Sequence, residues 1–245
     1  MKSNLARLVR PLATCAGLMA VAVAAPPTPA APETCRPGVG MAEPANPLAS
    51  IHAHLCGFHF YSGDMKRAVR VDHYCSHLNA DVFQCIVYDS DKPNARLIGV
   101  EYIISEALFK ALPADEKKLW HSHRYEVMSG LLTASGLSGP AEKELMKEFA
   151  NTYGKTWTLW QVDRGDPLPL GLPKLMMGFT ADGQADPNMV AERDRDLKVD
   201  AAAVKAQRAG FSPRPVAEEA DAWERDAPFQ IDDDLLRASP STPKP

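Results

Sequence analysis

The fold class is decided by a stretch of alternating side chains, Val82-Phe83-Gln84-Cys85-Ile86-Val87-Tyr88-Asp89. Successive side chains of a strand point to opposite faces of a sheet, so this period of two predicts a β-strand. A strand from Arg70 to Ser76 precedes it across a turn at 78–81, and a largely apolar strand from Ala95 to Ile104 follows a second turn. Three strands joined by short turns predict an antiparallel meander.

Helical patterns flank these strands. Ser105 is a candidate N-cap for a short helix over 106–111. A longer helix is predicted over 141–153 with Gly154 as its stop, and an aromatic strand is predicted over 156–163. The sequence therefore predicts an α+β fold, a single domain with a mainly antiparallel sheet and several flanking helices.

Composition divides the 245 residues into five segments. They are a signal peptide (1–24), a Pro/Ala-rich linker (25–50), a globular domain (51–180), a charged helix (181–210) and a disordered tail (211–245). The charged helix has a thin apolar face, which is typical of a surface helix or of one that binds a partner.

The first residues have the pattern of a secretory signal peptide. Lys2, Arg7 and Arg10 precede an apolar run over 12–25, and residues 22–24 have the small-x-small form of a cleavage site. Leu12-Ala13-Thr14-Cys15 resembles a lipoprotein attachment sequence, but the threonine before Cys15 and the position of the apolar run favour simple export. We expect a bacterial protein of the periplasm or the extracellular space.

Charge argues against nucleic acid as a partner, and hydropathy argues against a transmembrane segment after the signal peptide. Cleavage would leave 24 of the 27 basic residues against 31 acidic ones, a net charge of −7. An acidic chain without a basic stripe is a poor nucleic-acid binder. No stretch after the signal peptide is long and apolar enough to span a bilayer.

Four cysteines remain after cleavage, namely Cys35, Cys56, Cys75 and Cys85. Four cysteines allow two disulfides in three connectivities. Cys75 and Cys85 lie symmetrically about a predicted hairpin turn, so a cross-strand bridge between them is geometrically possible. The alternative is that both are small buried apolar side chains.

A histidine pair marks the candidate site, in the stretch Trp120-His121-Ser122-His123-Arg124-Tyr125-Glu126. As a strand, this stretch would place the two imidazoles on one face and Glu126 on the other, within reach only through a bulge or twist. Two such imidazoles can bind one divalent transition metal such as zinc. The alternative is that both histidines are half-buried structural side chains.

A metal site needs further ligands. We predict one built from His121, His123, His59 and Glu101, with His73 and His77 as other candidates for a third ligand. Glu101 interrupts an apolar strand, and a buried carboxylate there would need a histidine, an arginine or a metal; otherwise it faces water. A third interpretation is a pocket for a small apolar or anionic ligand walled by tryptophans, which more often belong to a core: Trp120, Trp157 and Trp160.

Several separated motifs resemble those of the oil body-associated proteins of plants, a family that shares a domain of unknown function, DUF1264, with many fungal and bacterial proteins. The resemblance covers 52–177 and rests on 55–64 (Leu-Cys-Gly-Phe-His-Phe-Tyr-Ser-Gly-Asp), 97–105, 119–127, 153–157 and 160–166. It implies association with lipid droplets for the plant members. It implies no catalytic residue and no cofactor, because the family has no established activity.

The resemblance leads to two expectations of function. The first is an exported, non-catalytic protein associated with the cell envelope or a lipid surface; the alternative is a metal-binding protein or metalloenzyme with a His-x-His centre. Export separates this chain from its plant relatives, which occupy the cytosol. Because the cytosol is reducing, the relatives also argue against a disulfide built from Cys56 or Cys85.

Overall fold

The computed structural model describes residues 46–225 and 228–236. The predicted signal peptide, Cys15, Cys35, most of the predicted linker and the end of the predicted tail lie outside these residues.

In the part of the chain that the structure describes, eight strands form one sheet, and every pairing among them is antiparallel. They are β1 (Ala53–Tyr61), β2 (Asp64–Asn79), β3 (Val82–Tyr88), β4 (Leu97–Ser105), β5 (His121–Ser122), β6 (Thr133–Ala134), β7 (Thr152–Thr158) and β8 (Lys174–Met177).

Six of the strands close into a barrel. They follow the order β2-β3-β4-β7-β8-β1, and β1 also pairs with β2 along most of its length. The two-residue strands β5 and β6 pair with β7 and β1, respectively. Because side chains alternate along each strand, one set points into the barrel and the other packs under helices or meets water.

Within the described residues, six α-helices flank the barrel. They are α1 (Glu106–Ala111), α2 (Ala114–Lys117), α3 (Arg124–Ser129), α4 (Gly139–Phe149), α5 (Pro187–Leu197) and α6 (Ala201–Arg208). The prediction for α1 is confirmed, including its cap, because Ser105 Oγ accepts from the backbone N–H of Leu108. None of the helices in the described ranges combines the length and hydropathy of a membrane span. The predicted α+β class with a mainly antiparallel sheet is confirmed.

Several predicted elements are wrong in their bounds, among them the aromatic strand predicted over 156–163, which is β7 (Thr152–Thr158). Two others lie at the candidate site. The strand considered for the stretch 120–126 ends at Ser122, since His123 already has helical backbone angles (φ −85°, ψ −6°) and α3 begins at Arg124. The helix predicted to end at Tyr153 ends at Phe149, and Gly154 lies inside β7. Strand β7 pairs with β5 through His121 and Ser122, and it pairs with β4 from Thr152 onward. These tertiary hydrogen bonds override the local sequence pattern.

The predicted charged helix consists of two helices, and two of its three arginines are buried rather than at the surface. The first of these helices, α5, ends in the C-cap residue Lys198, which has left-handed backbone angles (φ 55°). Arg193 and Arg208 are buried. They donate to the carbonyls that end α3 and the turn after it, Arg193 to Gly130 and Leu131 and Arg208 to Val127 and Leu132. Helices α5 and α6 therefore hold the C-terminal end of α3.

Part of the predicted tail packs against the domain. Ala220, Asp221 and Ala222 are buried, and the ring of Trp223 lies 4.9 Å from that of Phe60. The division into five segments stays a prediction, but 211–225, which the composition indicates to be disordered, buries apolar and polar groups on the barrel.

Cys75 and Cys85 form a disulfide between paired positions of β2 and β3. The expectation that Cys85 forms no disulfide, which rested on the family resemblance, is therefore wrong. Among the described residues, Cys56 is buried and has no disulfide partner.

Candidate metal centre

Six titratable side chains meet inside the barrel. None of them is more than 3% exposed. They are His59 from β1, His73 from β2, Glu101 from β4, His121 from β5, His123 from the turn into α3, and Glu126 from α3.

The fold explains how residues distant in sequence come together. The alternation along β1, β2 and β4 points one side chain of each strand into the barrel. Pairing of β5 with β7 places His121 opposite Gly154, beside the strand that also pairs with Glu101. Since the chain turns into α3 after His123, Glu126 comes back toward His121, with 3.9 Å between Oε2 and Nε2.

Glu101 is the centre of the cluster. Its Oε1 lies 3.2 Å from His123 Nε2 and 3.4 Å from His121 Nε2, and its Oε2 lies 2.7 Å from His73 Nε2. Ligand atoms that share one tetrahedral zinc at about 2.0–2.1 Å lie roughly 3.3 Å from one another. The two distances from Glu101 Oε1 to the Nε2 atoms of His121 and His123 therefore match the spacing of ligands that share an ion.

A hydrogen-bond chain fixes the tautomer of His123. Thr152 Oγ1 lies 2.8 Å from the Phe149 carbonyl, to which it donates its one proton, and 2.8 Å from His123 Nδ1. Having no second proton, the hydroxyl accepts from Nδ1–H. A neutral His123 then turns an Nε2 lone pair toward Glu101 Oε1. Two acceptors 3.2 Å apart need a proton or a cation between them.

Several polar atoms of the cluster have no hydrogen-bond partner although they are fully buried. They are His59 Nδ1, both ring nitrogens of His73 and of His121, and Glu126 Oε2. The 2.7 Å between His73 Nε2 and Glu101 Oε2 is thus a close approach without hydrogen-bond alignment. Unpaired buried polar atoms cost free energy, and a bound ion would satisfy several of them at once.

Gly154 leaves space at the centre of three of these side chains. A Cβ at this position would lie 2.7 Å from His123 Nε2, 2.8 Å from His121 Nε2 and closer still to Glu101 Oε1. Any larger residue would fill the point on which the three ligand atoms converge. The ligand atoms of Glu101, His121 and His123 all lie within 4.8 Å of one another, as do those of His59, His73 and Glu101 and of His59, His121 and Glu126.

The pKa shifts favour the protonation states that metal ligands need in three of the six groups. Burial would raise the pKa of Glu101, but the neighbouring His73, His121 and His123 hold it well below its ordinary value. Burial lowers the pKa of His59 and of His121. Glu126 differs, because burial and the charges of Glu101 and Asp221 raise its pKa well above the ordinary value.

The comparisons with known proteins identify the family. The model of a family described as "Protein of unknown function (DUF1264)" matches residues 45–212. The chain belongs to the DUF1264 family. It is 48% identical over 166 residues to oil body-associated protein 1B of Arabidopsis thaliana, covering 68% of this chain and 69% of that protein.

Other members of the DUF1264 family extend this match. Oil body-associated protein 2A of Zea mays is 44% identical over 204 residues, covering 81% of each chain. Oil body-associated protein 1A of Zea mays is 54% identical over 138 residues, which cover 56% of this chain and 58% of the relative. No solved structure matches. All six residues of the cluster lie within the part that matches the DUF1264 model.

The structure brings the four predicted ligands together in this DUF1264 member. His121, His123, His59 and Glu101 all belong to the cluster, whereas His77 lies apart and pairs with His52 at 2.9 Å between ring nitrogens. His73 joins them, as does Glu126, which needs neither the bulge nor the twist that the predicted strand required. Trp120 is buried in a core cluster with Phe109 and Tyr153.

Two contributors were not found from the sequence, Thr152 and Gly154. Both fell at the end of the predicted helix over 141–153. A glycine inside a strand pattern indicates close approach of another group. Interpreting 153–158 as a strand would therefore have identified Gly154 from the sequence.

Proposed function

We propose that the chain binds one divalent transition-metal ion, such as zinc, inside the barrel. The space that Gly154 leaves between Glu101 Oε1, His121 Nε2 and His123 Nε2 carries this proposal. Imidazole nitrogens and carboxylate oxygens, with no thiolate among them, suit zinc and its neighbours in the first transition row.

The charges of the cluster favour one ion rather than several. Glu101 and Glu126 together offset the two positive charges of one divalent ion if both are ionised, and the four imidazoles bind metals in their neutral form. Glu126 Oε2 has no hydrogen-bond partner and lies near His121 and His59, so it is the candidate second carboxylate.

Burial favours a structural role for this ion. The six side chains are at most 3% exposed, so a bulky substrate would not reach the ion without opening the barrel. Structural sites are closed by protein ligands, whereas catalytic sites keep an open position. This agrees with a non-catalytic protein.

The test is the metal content of the chain purified without a histidine tag from its native host, measured by mass spectrometry. We expect about one zinc-like ion per chain, and none in the variant His121→Ala/His123→Ala. The matched control is His52→Ala, an exposed histidine outside the cluster, which should retain the ion. A folded native chain that lacks metal and does not take up added Zn²⁺ would make the histidines structural.

We also infer that the chain is exported and works at a lipid or envelope surface. The basic and apolar pattern of the first residues supports export. The Cys75–Cys85 disulfide adds support, since such bridges persist in oxidising compartments. The relatives' names, which call them oil body-associated, support a lipid surface.

Fractionation of the native host tests this second proposal. We expect the full chain outside the cytoplasm and a variant lacking 1–24 inside it. Flotation with phospholipid vesicles and with triacylglycerol droplets tests the lipid surface, with the chain moving into the floating layer. Recovery of the full chain from the cytoplasm would contradict export, and a chain that stays in the dense layer would contradict lipid association.

A further inference from the structure

Ser122 separates the two histidines of the His-x-His pair, and its polar atoms face a residue from a distant part of the chain. Its backbone N–H donates to Asp221 Oδ1 at 2.9 Å, and its hydroxyl donates to Asp221 Oδ2 at 2.7 Å. Ser122 and Asp221 are 3% and 4% exposed. Both oxygens of one buried carboxylate therefore hold a single residue from two directions.

The backbone next to Ser122 is also held on the β7 side, where the His123 N–H donates to the Thr152 carbonyl at 3.2 Å. Strand β5 comprises two residues and pairs with β7 only through His121 and Ser122. On the opposite side, the Asp221 N–H donates to the Trp120 carbonyl at 3.3 Å. The His-x-His segment is thus held between β7 and residue 221. His121 and His123 directly precede and follow Ser122, the residue that is hydrogen-bonded to Asp221.

Asp221 adopts an uncommon backbone conformation, with φ of 53°. Asparagine and aspartate tolerate this left-handed region better than most residues, at some cost in free energy. Such conformations persist where surrounding contacts fix them, and they concentrate at functional sites. In this chain, the left-handed conformation of Asp221 directs its carboxylate toward Ser122.

We propose that Asp221 is a positioning residue of the metal centre, holding Ser122 so that His121 and His123 point their Nε2 atoms at the space beside Gly154. The inference rests on the proposed metal binding and deepens it. Residue 221 lies beyond 45–212, the part that matches the family model, so the segment after that part contributes to the site.

Carboxylates that orient metal-binding histidines from outside the ligand set have measurable effects, and their loss typically weakens metal affinity about 10- to 100-fold. Asp221 acts one step further away, through the backbone between two ligands. We therefore expect Asp221→Ala to weaken Zn²⁺ affinity about tenfold, near the lower end of that range.

The experiment measures Zn²⁺ affinity by competition with a chelator for the native full chain and four variants. Asp221→Asn keeps the shape, an acceptor for the Ser122 N–H and tolerance of positive φ, so we expect near-native affinity. Ser122→Ala loses only the hydroxyl bond and should weaken binding less than Asp221→Ala. Glu219→Gln is the control, because it lies on the same segment and pairs with Lys117 at the surface.

A second readout does not depend on metal. In the EDTA-treated chain, the imidazole nitrogen resonances of His121 and His123 should move in Asp221→Ala and stay in place in Glu219→Gln. If native chain binds no Zn²⁺, the proposed metal function fails, and these resonances alone decide whether Asp221 positions the histidines.

The positioning role is overturned if Asp221→Ala leaves both the Zn²⁺ affinity and the imidazole resonances unchanged. If Asp221→Ala fails to fold, Ser122→Ala decides instead. Native affinity and native resonances in Ser122→Ala would then overturn the role, and a weaker affinity with shifted resonances would support it.

Discussion

At the scale of single residues, the candidate site depends on the absence of a Cβ atom at position 154. Gly154 has no side chain, and the space where one would begin is the point that Glu101, His121 and His123 surround. A methyl group there would compete with an ion for the same volume.

Gly154→Ala should abolish Zn²⁺ binding while leaving every ligand in the sequence. Because a Cβ at 154 would meet the three side chains at less than contact distance, we also expect a loss of about 1–3 kcal/mol in the free energy of unfolding. Equilibrium denaturation and Zn²⁺ titration measure the two effects. Gly210→Ala is the control, since a Cβ there meets nothing within 4 Å; Zn²⁺ binding by a folded Gly154→Ala chain would argue against the proposed position of the ion.

Asp221 gives the chain a pH-dependent stability. Burial raises the pKa of Asp221 from 3.8 to about 6, although the bonds from Ser122 act in the opposite direction. Between these values the folded chain keeps a proton that the unfolded chain has released, so the contribution of Asp221 to stability falls as pH rises from about 4 to 6. The effect should be on the order of 2–3 kcal/mol.

The variant Asp221→Asn does not titrate and should lack this decline. Urea denaturation of both chains in metal-free buffer at pH 4, 5, 6 and 7 measures the difference in the free energy of unfolding. We expect the native chain to lose stability relative to the variant up to about pH 6 and to stay level above it. A constant difference across this range would show that Asp221 has an ordinary pKa in the folded chain.

At the scale of elements, α3 is placed by two helices that begin 58 and 72 residues after it ends. The guanidinium groups of Arg193 and Arg208 donate hydrogen bonds to four carbonyls at and after the C-terminal end of α3. Positive charge at a helix C-terminus is favourable, and both side chains are buried there. Since α3 carries Glu126, the charged helices support the candidate site from outside the barrel.

One substitution at the junction between α5 and α6 should increase the stability of the fold. Lys198 ends α5 with left-handed angles (φ 55°, ψ 41°), a conformation that glycine adopts without steric cost. Lys198→Gly should stabilise the fold by about 0.5–1 kcal/mol, less any loss from greater freedom of the unfolded chain. Chemical denaturation measures it, with Ala206→Gly within α6 as a control that should destabilise by about 1 kcal/mol. Equal losses in the two variants would contradict this account of residue 198.

At the scale of the whole molecule, the barrel joins four separate parts of the sequence around one cluster. An ion bound there would link strands β1, β2 and β4 with the segment that leads into α3. Ligands that bind only the folded state stabilise it in proportion to the logarithm of their concentration.

Added Zn²⁺ should therefore raise the unfolding temperature. At a free concentration 100-fold above the dissociation constant, the gain is about 2.7 kcal/mol, or roughly 5–10 °C for a domain of this size. Calorimetry with Zn²⁺ and with EDTA measures the shift, and His121→Ala/His123→Ala should show none. An equal shift in that variant would place the ion elsewhere on the chain.

The sequence by itself determined the fold class, the start of β3, the bounds of α1, the family and four of the six clustered residues, with His73 as a further candidate. It could do so because period-two patterns, a serine cap and a buried carboxylate in an apolar strand are local signals. Only the tertiary structure decided that the chain turns into α3 after His123, that Gly154 lies in a strand and that Asp221 reaches Ser122. These depend on barrel closure and on contacts across some 30 to 100 residues, whose hydrogen bonds and burial outweigh the preference of a short stretch for one conformation.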